Sequence, residues 1–244
     1  MPRIRIHISP DSPLRDSCQG LDFDQLWARF SGESVRSRRR RQVLRCEFDG
    51  QVLFAKRFIS VQPKNWLRLR FSQQPRAQSQ AGREAAICQL LQRMGFYPPK
   101  LSLWAEELGP WREQRSLLVC KEHAGPPLCD KSKLLSDDAY LLAIASKLGA
   151  IEAAGIHLPD LGTDHVFLLP EGKIGLLDFT NARSAPRPSA REVARAILRF
   201  FLSPRAELML ARGVQQAWAE QYCQAAHRED ALSKWKTLAK ERLR

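Results

Sequence analysis

The sequence predicts a bilobal α+β protein, in which a small antiparallel β-sheet lobe with one helix precedes a mainly helical lobe. Three observations support this prediction. In the first half, apolar and polar residues alternate on both sides of the tight-turn signal Asp49-Gly50. In the second half, apolar residues recur at helical spacing. Between the halves, Gly125-Pro126-Pro127 interrupts any regular element. We therefore expect an N-terminal extension (residues 1–35), an N-lobe (36–122) and a C-lobe (123–244) within one domain.

The composition is that of a globular chain. Of the 244 residues, 44% are hydrophobic and 27% are charged, so the chain is neither disordered nor fibrous in composition. The best candidate for a membrane span, Leu141–Ile156, is too short and contains Lys147 and Glu152. The N-terminus lacks the apolar run of a secretory signal. The six scattered cysteines form no Cys-x-x-Cys pair, which favours reduced thiols in the cytoplasm over a zinc site or a disulfide framework.

The net charge of +13 favours a polyanionic partner, namely nucleic acid, an anionic membrane surface or an acidic glycolipid. A basic surface that is simply solvated has the same composition, so the charge alone leaves these alternatives open. The sequence carries no helix-turn-helix, zinc-finger or RNA-binding signature. We therefore expect no nucleic-acid partner.

The elements of the N-terminal half follow from local patterns. Residues 1–35 are predicted to be irregular apart from a short helix at Asp22–Phe30, and the arginine run Arg38–Arg41 is predicted to enter a strand. Gln42–Phe58 is predicted to form a hairpin. Pro63–Gln80 is irregular and basic, which is typical either of a solvated face or of a surface that binds phosphorylated sugar or anionic lipid.

Two charged residues lie among apolar neighbours. Lys56 shares a strand face with Val52, Phe54 and Phe58, so it either reaches solvent at an edge or points at an anion. Glu84 shares one side of a predicted helix, which ends before Gly95, with three apolar residues, Ile87, Leu91 and Met94. That carboxylate is either a first-turn residue favoured by the helix dipole or a functional group.

In the C-terminal half, short strands alternate with helices. Ser116–Cys120 is predicted to be an apolar strand, and Ser136 is predicted to cap a long helix that ends at Gly155. Short strands are expected at Val166–Leu169 and Ile174–Phe179. Ser189 and Glu192 form a capping box that opens a helix through Phe201, and the remaining chain is predicted to be helical.

The order of the charged residues indicates a chemistry. A strand lysine (Lys56), a helix glutamate (Glu84), a loop aspartate (Asp160) and an aspartate after a small hairpin (Asp178) follow one another. Phosphoryl transfer needs a lysine on the phosphates, a carboxylate that orients it, a carboxylate for Mg²⁺ and one for the attacking hydroxyl. None of these residues is specific alone, but the ordered set is that of the protein-kinase-like fold.

From Gly32 to Ser203 the sequence resembles the lipopolysaccharide core heptose kinases and the related Kdo kinases. In protein kinases, Asn stands five residues after the catalytic Asp. Here His165 stands five residues after Asp160 and is followed by Val-Phe-Leu-Leu, which is similar to the heptose kinase pattern. The other segments that carry the resemblance are Asp49–Lys56, Arg83–Ile87, Gly155–Leu169, Leu177–Phe179 and Arg191–Ala194.

The resemblance implies an ATP-dependent, Mg²⁺-requiring kinase that phosphorylates a sugar hydroxyl, expected to be on heptose, of the lipopolysaccharide inner core. It implies that Lys56 binds the ATP phosphates and that Glu84 pairs with Lys56. It further implies that Asp160 is either the catalytic base or the group that orients the attacking hydroxyl. Asp178 is implied to bind Mg²⁺, and His165 to stand near metal and phosphates. Glu122, which follows the Ser116–Cys120 strand, is counted with the nucleotide-binding residues. Glu192 is expected to brace the catalytic loop.

The acceptor of such a kinase is an amphiphile of the inner leaflet. We therefore expect a cytoplasmic protein, peripheral to an anionic inner-membrane surface. The lipopolysaccharide core is the expected partner, and a monomer is the expected state.

Several positions depart from the protein-kinase pattern. Leu158-Pro159 replaces His-Arg, Thr180 replaces Gly, and arginines at Arg38–Arg41 stand where a glycine-rich loop is expected, so they are predicted to grip phosphates. A weakly active or inactive protein that binds lipopolysaccharide or a partner is therefore the alternative function. His165 has the alternative of a structural histidine, and Glu192 that of a helix cap alone. Two further residues are interpreted as structural: His157 precedes the loop, and Asp164 is a turn residue.

Overall fold

A computed structural model of the chain describes residues 2–60, 79–110, 113–184 and 186–243. The chain forms two compact units. The first consists of Met1–Leu90 and Pro99–Glu122, and the second of Leu91–Pro98 and His123–Arg244. The basic segment predicted from Pro63 onwards lies, up to residue 78, outside the described residues.

The first unit contains a six-stranded antiparallel sheet, in the order β1-β5-β6-β4-β3-β2. Its strands are β1 (Arg3–Ile8), β2 (Glu33–Arg38), β3 (Arg41–Phe48), β4 (Gln51–Ile59), β5 (Leu101–Leu108) and β6 (Glu113–Lys121). The predicted β3–β4 hairpin is confirmed, with Phe48 opposite Gln51. Its turn residues Asp49 and Gly50 have φ angles of 49° and 69°, as a type I′ turn requires.

The N-terminal segment is an integral part of this unit, and the prediction that it is largely irregular is wrong. Strand β1 pairs with β5, and its alternating isoleucines place Ile6 and Ile8 against the core. Two short helices follow, α1 (Arg15–Cys18) and α2 (Phe23–Arg29). Helix α2 confirms the short helix predicted at Asp22–Phe30, and Asp22 and Gln25 form its capping box.

The arginine run does not lie within one strand. Arg38 ends β2 and Arg41 begins β3, so Arg39 and Arg40 form the turn between them. The run therefore leads into strand β3 as predicted, and its first residue also ends strand β2.

The two faces of the sheet are covered by different helices. Helices α1 and α2 pack on the face that carries Leu53, Ala55 and Val119. On the opposite face, Ala81 and Ala85 of helix α3 (Gln80–Arg93) pack against the strand residues Phe58, Leu118 and Cys120. Helix α3 begins four residues before the predicted start at Glu84. Met94 was predicted on the apolar stripe but is 36% exposed, because it follows the last helical residue.

The second unit is mainly helical. Its helices are α4 (Ser132–Leu135), α5 (Asp138–Ala153), α6 (Ala190–Phe201), α7 (Glu207–Leu210), α8 (Gln215–Ala225) and α9 (Glu229–Arg242), and a hairpin of β7 (Val166–Leu168) and β8 (Ile174–Leu176) lies between α5 and α6. Aromatic side chains join its helices, since Phe200 of α6 stacks on Trp218 of α8 with ring centroids 4.5 Å apart. None of the helices within the described ranges is long and apolar enough to cross a bilayer.

Helix starts in this unit follow local capping chemistry. The capping box of Ser189 and Glu192 is confirmed at the start of α6. The cap of α5 is Asp137, whose Oδ1 accepts a hydrogen bond from the Tyr140 amide at 3.1 Å, so the prediction of Ser136 is wrong by one residue. All six cysteines are buried free thiols, as the scattered spacing predicted.

Candidate active site

In the first unit, Lys56 and Glu84 form a buried ion pair. Lys56 Nζ lies 2.6 Å from Glu84 Oε1, and the two side chains are 13% and 4% exposed. Lys56 stands on β4 between Val43 of β3 and Leu118 of β6, and Glu84 stands in the second turn of α3. The lysine therefore points at an anion and does not reach solvent at an edge. The helix dipole favours a carboxylate in the first turn of a helix, but Glu84 lies beyond that turn and is not explained by the dipole.

Two thiols lie close to this ion pair. Burial, reinforced by the nearby carboxylate of Glu84, raises the pKa of Cys120 to about 12. Burial also raises the pKa of Cys88 well above its usual value. Both thiols are therefore neutral at physiological pH and behave as small apolar side chains. Neither Cys88 nor Cys120 therefore presents a thiolate that would compete for the lysine.

In the second unit, one pocket collects three of the predicted site residues. Asp160, His165 and Asp178 all line it, together with Leu158, Pro159 and Phe179. Asp160 stands in the loop after α5, and His165 directly precedes β7. Asp178 follows β8, so a predicted site residue lies near each end of the β7–β8 hairpin. The structure thus brings together within this unit two carboxylates and an imidazole that lie far apart in the sequence.

The carboxylate of Asp160 is held on one side. Asn181 Nδ2 donates a hydrogen bond to Asp160 Oδ2 at 2.5 Å. Among the described residues, Asp160 Oδ1 has no hydrogen-bond partner. An ionised carboxylate with one free oxygen can accept a proton from a substrate hydroxyl.

His165 supports the main chain of the same loop. Its Nδ1 lies 2.8 Å from the carbonyl oxygen of Asp160. A carbonyl only accepts hydrogen bonds, so Nδ1 carries a proton in this contact. The ring is also 3.6 Å from Asp164 through Nε2, and Leu177 N donates to the His165 carbonyl at 2.9 Å. His165 therefore joins the Asp160 loop to the chain that leads to Asp178.

Asp178 adopts an unusual backbone conformation. Its φ angle is 62°, in the left-handed region that residues other than glycine rarely adopt. Thr180 Oγ1 donates to Asp178 Oδ1 at 2.7 Å, and the buried ring of Phe179 anchors the segment. Strained residues of this kind cluster at functional sites.

The donor chemistry suits a magnesium ion held mainly by oxygen. Mg²⁺ is usually bound by one or two carboxylates together with substrate phosphates and water, and Asp178 supplies such a carboxylate. Within the described ranges, no group of three or more His, Cys, Asp or Glu side chains is arranged to hold a metal by itself. An imidazole is a softer ligand than Mg²⁺ prefers, so the metal role of His165 stays a prediction.

Glu192 makes hydrogen bonds with two different residues through its two carboxylate oxygens. Its Oε2 accepts from Ser189 N and Ser189 Oγ at 2.8 and 2.9 Å, which caps α6. Its Oε1 accepts from Arg183 Nη2 at 2.5 Å. These hydrogen bonds, first of all that from the Ser189 backbone, lower the pKa of Glu192 to about 2. Arg183 in turn pairs through its backbone with His157, three residues before Asp160.

Glu122 and Asp164 are not among the described residues that line this pocket. Glu122 is exposed directly after β6, where its backbone N–H donates to Val52 O at 3.4 Å. Asp164 lies in a turn, and its buried Oδ1 has no hydrogen-bond partner among the described residues. The nucleotide-binding role of Glu122 stays a prediction.

The sequence reasoning missed two groups that support the loop. Asn181 had no local signal, because its partner Asp160 lies 21 residues away. The sequence predicts only that His157 precedes the loop, yet the residue is buried. Its Nδ1 lies 2.8 Å from Glu152 Oε2, which also accepts from Tyr222 OH at 3.3 Å. A histidine just after a helix that carries a buried glutamate was the available signal.

A strand lysine paired with a helix glutamate, followed by the loop pocket of two aspartates and a histidine, defines the class as the protein-kinase-like fold. No protein-family model and no curated protein matches the chain. The solved structure of WaaP in complex with acyl carrier protein matches with a TM-score of 0.73 and 20% identity, over 98% of this chain and 99% of that chain. WaaP is a lipopolysaccharide core heptose kinase. At this level of identity the match shows the fold, so the predicted fold and the resemblance at the level of the fold are confirmed.

Proposed function

We propose that the protein is an ATP-dependent kinase that phosphorylates a sugar hydroxyl, on heptose, of the lipopolysaccharide inner core. The observation that carries the proposal is the pocket shared by Asp160, His165 and Asp178. The oriented Lys56–Glu84 pair and the fold shared with WaaP support it further.

In this proposal each charged group has one task. Lys56, oriented by Glu84, binds the phosphates of ATP. Asp160 Oδ1 accepts the proton of the sugar hydroxyl as its oxygen bonds to the γ-phosphorus and the bond to the leaving ADP oxygen breaks. Asp178 would hold Mg²⁺, which when bound neutralises phosphate charge. Positioning and charge neutralisation supply most of the rate.

The direct test is phosphate transfer to core oligosaccharide that lacks inner-core phosphate. We expect the purified protein with Mg²⁺ and ATP to add one phosphate to heptose, read by mass spectrometry. Asp160→Ala and Asp178→Ala should abolish the transfer while the fold survives. Asp130→Ala, which removes an exposed carboxylate of the same unit, is the matched control. Full activity in either site variant would contradict the assigned roles.

A second candidate is a kinase-like protein that binds lipopolysaccharide without transferring phosphate. The specific observation in its favour is that Thr180 already donates a hydrogen bond to Asp178 Oδ1, where protein kinases have a glycine without a side chain. Calorimetry separates the two functions. Tight Mg²⁺-ATP binding with turnover supports the kinase, and binding of core oligosaccharide without nucleotide binding supports the alternative.

We propose a cytoplasmic location at an anionic membrane surface. Arg191, Arg195 and Arg199 follow one another at intervals of four residues along α6, and the stretch from the first to the third is about 12 Å long. Among the described residues, none of the three guanidinium groups has a hydrogen-bond or ion-pair partner. The adjacent Leu202 is 52% exposed. Arginines beside an exposed leucine suit the headgroup region of an anionic bilayer.

Vesicle flotation tests this location. We expect binding to vesicles with phosphatidylglycerol at low salt, weaker binding at high salt and none to phosphatidylcholine alone. The triple variant Arg191→Glu, Arg195→Glu, Arg199→Glu should lose binding. The triple variant Lys234→Glu, Lys236→Glu, Lys240→Glu, with the same charge change on α9, should retain it. Equal loss in both would contradict a specific role of the α6 arginines.

We also propose acyl carrier protein as a partner, since the matched structure contains WaaP together with it. Gel filtration of a mixture of this chain and acyl carrier protein tests the proposal. Co-elution at physiological salt supports the partnership, and separate elution contradicts it.

A further inference from the structure

Consecutive residues of one loop reach both carboxylates of the pocket in the second unit. Thr180 Oγ1 donates to Asp178 Oδ1 at 2.7 Å, and Asn181 Nδ2 donates to Asp160 Oδ2 at 2.5 Å. This is where the chain departs from the Asp-Phe-Gly pattern of protein kinases, whose glycine has no side chain to donate. Thr180, which replaces that glycine, and its neighbour Asn181 thus contact the two carboxylates that the proposed chemistry uses.

Asp160 is held through its main chain and its side chain by different residues. His165 Nδ1 contacts the Asp160 carbonyl oxygen at 2.8 Å. This contact fixes the backbone but leaves the carboxylate free to rotate about χ2, which is a broad torsion for aspartate. The Asn181 amide supplies the missing restraint, because a hydrogen bond to Oδ2 sets the direction of the other oxygen, Oδ1.

We infer that Asn181 is a positioning residue of the phosphoryl-transfer reaction, which orients the Asp160 carboxylate so that Oδ1 faces the attacking hydroxyl. The inference rests on the proposed kinase function. An amide N–H suits this task, because it donates to the carboxylate without taking its proton. The binding of ATP phosphates is assigned to Lys56, so Asn181 acts on the transfer step and not on nucleotide binding.

Two nearly isosteric substitutions test the inference by kinetics. Asn181→Leu removes the donor, and we expect kcat to fall by about 10- to 100-fold, because misplacing a reacting group by about 1 Å has an effect of that order. Asn181→Asp places a like charge against Asp160 and should lower kcat further. The KM for ATP should stay within about twofold of the wild-type value in both variants.

The matched control is Gln216→Leu. Gln216 Nε2 donates to Glu220 Oε1 at 2.9 Å on the exposed side of α8, so this variant removes an amide–carboxylate hydrogen bond of the same unit. We expect its kcat to equal that of the wild type. An unchanged kcat in Asn181→Leu, or a KM for ATP that rises as much as kcat falls, would overturn the inference.

A second readout does not depend on the acceptor. In ¹⁵N-resolved NMR spectra, the side-chain amide protons of Asn181, identified by their absence in Asn181→Leu, should include one signal shifted downfield by the hydrogen bond. That shift should disappear in Asp160→Ala and persist in Asp130→Ala. If the wild-type protein transfers no phosphate to core oligosaccharide, the proposed function fails, and this measurement alone decides whether Asn181 holds Asp160. An amide signal that does not respond to Asp160→Ala overturns the contact.

Discussion

Arg183 and His157 exchange both of their backbone hydrogen bonds. His157 N donates to Arg183 O at 2.8 Å, and Arg183 N donates to His157 O at 3.1 Å. The pair joins the segment before Asp160 to the segment after Asp178. Each side chain is fixed by a different glutamate, Arg183 by Glu192 and His157 by Glu152. The loop that carries the proposed base is therefore anchored to α6 and to the end of α5.

The first prediction concerns the Lys56–Glu84 pair. Glu84→Gln keeps the size of the side chain but removes the charge that holds Lys56 Nζ at 2.6 Å. We expect kcat/KM for ATP to fall by about 10- to 100-fold, because the lysine loses its fixed position. Steady-state kinetics with varied ATP would measure the effect. Glu47→Gln, at an exposed position of the same unit, should behave like the wild type, and an equal effect in both variants would contradict the prediction.

The second prediction concerns pH and Glu113, which supports the helix that carries Glu84. Glu113 Oε2 accepts a hydrogen bond from the backbone N–H of Gln80 at 3.0 Å, and Glu113 Oε1 accepts one from Ser116 Oγ. Burial outweighs these hydrogen bonds and raises the pKa of Glu113 from 4.5 to about 7. The folded state therefore binds the proton more tightly than the unfolded state. The stability from this group is present below pH 4.5 and is lost as pH rises through 7.

Glu113→Gln mimics the protonated form. Between pH 5 and pH 8, the free energy of unfolding of the wild type should fall relative to that of Glu113→Gln by at most about 3 kcal/mol. Urea unfolding at both pH values would measure this difference. Glu207→Gln, at an exposed position, should follow the wild type. Parallel pH profiles for wild type and Glu113→Gln would contradict the prediction.

Local signals predicted much of the fold. The hairpin turn at Asp49-Gly50 and the capping box of Ser189 and Glu192 depend on residues close in sequence, and both are confirmed. Strand β1 was missed although Ile4, Ile6 and Ile8 alternate. Its pairing with β5 joins Arg3 to Leu108, and such long-range pairing is not encoded in the short segment itself.

The candidate site, like the fold, could be predicted only in part. The order of Lys56, Glu84, Asp160 and Asp178 along the chain, which is that of the protein-kinase-like fold, indicated these residues as site candidates. The Lys56–Glu84 contact is observed, and Asp160 and Asp178 line one pocket. Two long-range contacts that support these groups were not predicted. Asn181 reaches Asp160 across 21 positions, and Glu113 reaches the start of α3 across 33. Such contacts depend on tertiary packing.

The third prediction concerns Glu192. Hydrogen bonds from Ser189 and Arg183 lower its pKa from 4.5 to about 2, so its stabilising contribution is present above pH 4.5 and is lost as pH falls through 2. Its side chain is 39% exposed, which weakens the effect of charge through solvent screening. We expect Glu192→Gln to destabilise the protein by about 1 kcal/mol at pH 7.

The difference in the free energy of unfolding between the wild type and Glu192→Gln should shrink as the pH falls towards 2. Urea unfolding at pH 7 and pH 3 would measure it, with Glu229→Gln of α9 as the control in a helix first turn. A destabilisation that is the same at both pH values would show that the charge of Glu192 is not responsible.

The last prediction concerns the buried contact that holds His157. Glu152 Oε2 accepts from Tyr222 OH at 3.3 Å and lies 2.8 Å from His157 Nδ1. All three residues are buried. Glu152→Ala leaves two buried polar groups without their partner and should destabilise the protein by about 3 kcal/mol. Glu152→Gln keeps an oxygen acceptor and should have a smaller effect. A double-mutant cycle with Tyr222→Phe in urea unfolding should give a coupling energy of about 1 kcal/mol, and strict additivity would contradict a direct Glu152–Tyr222 interaction.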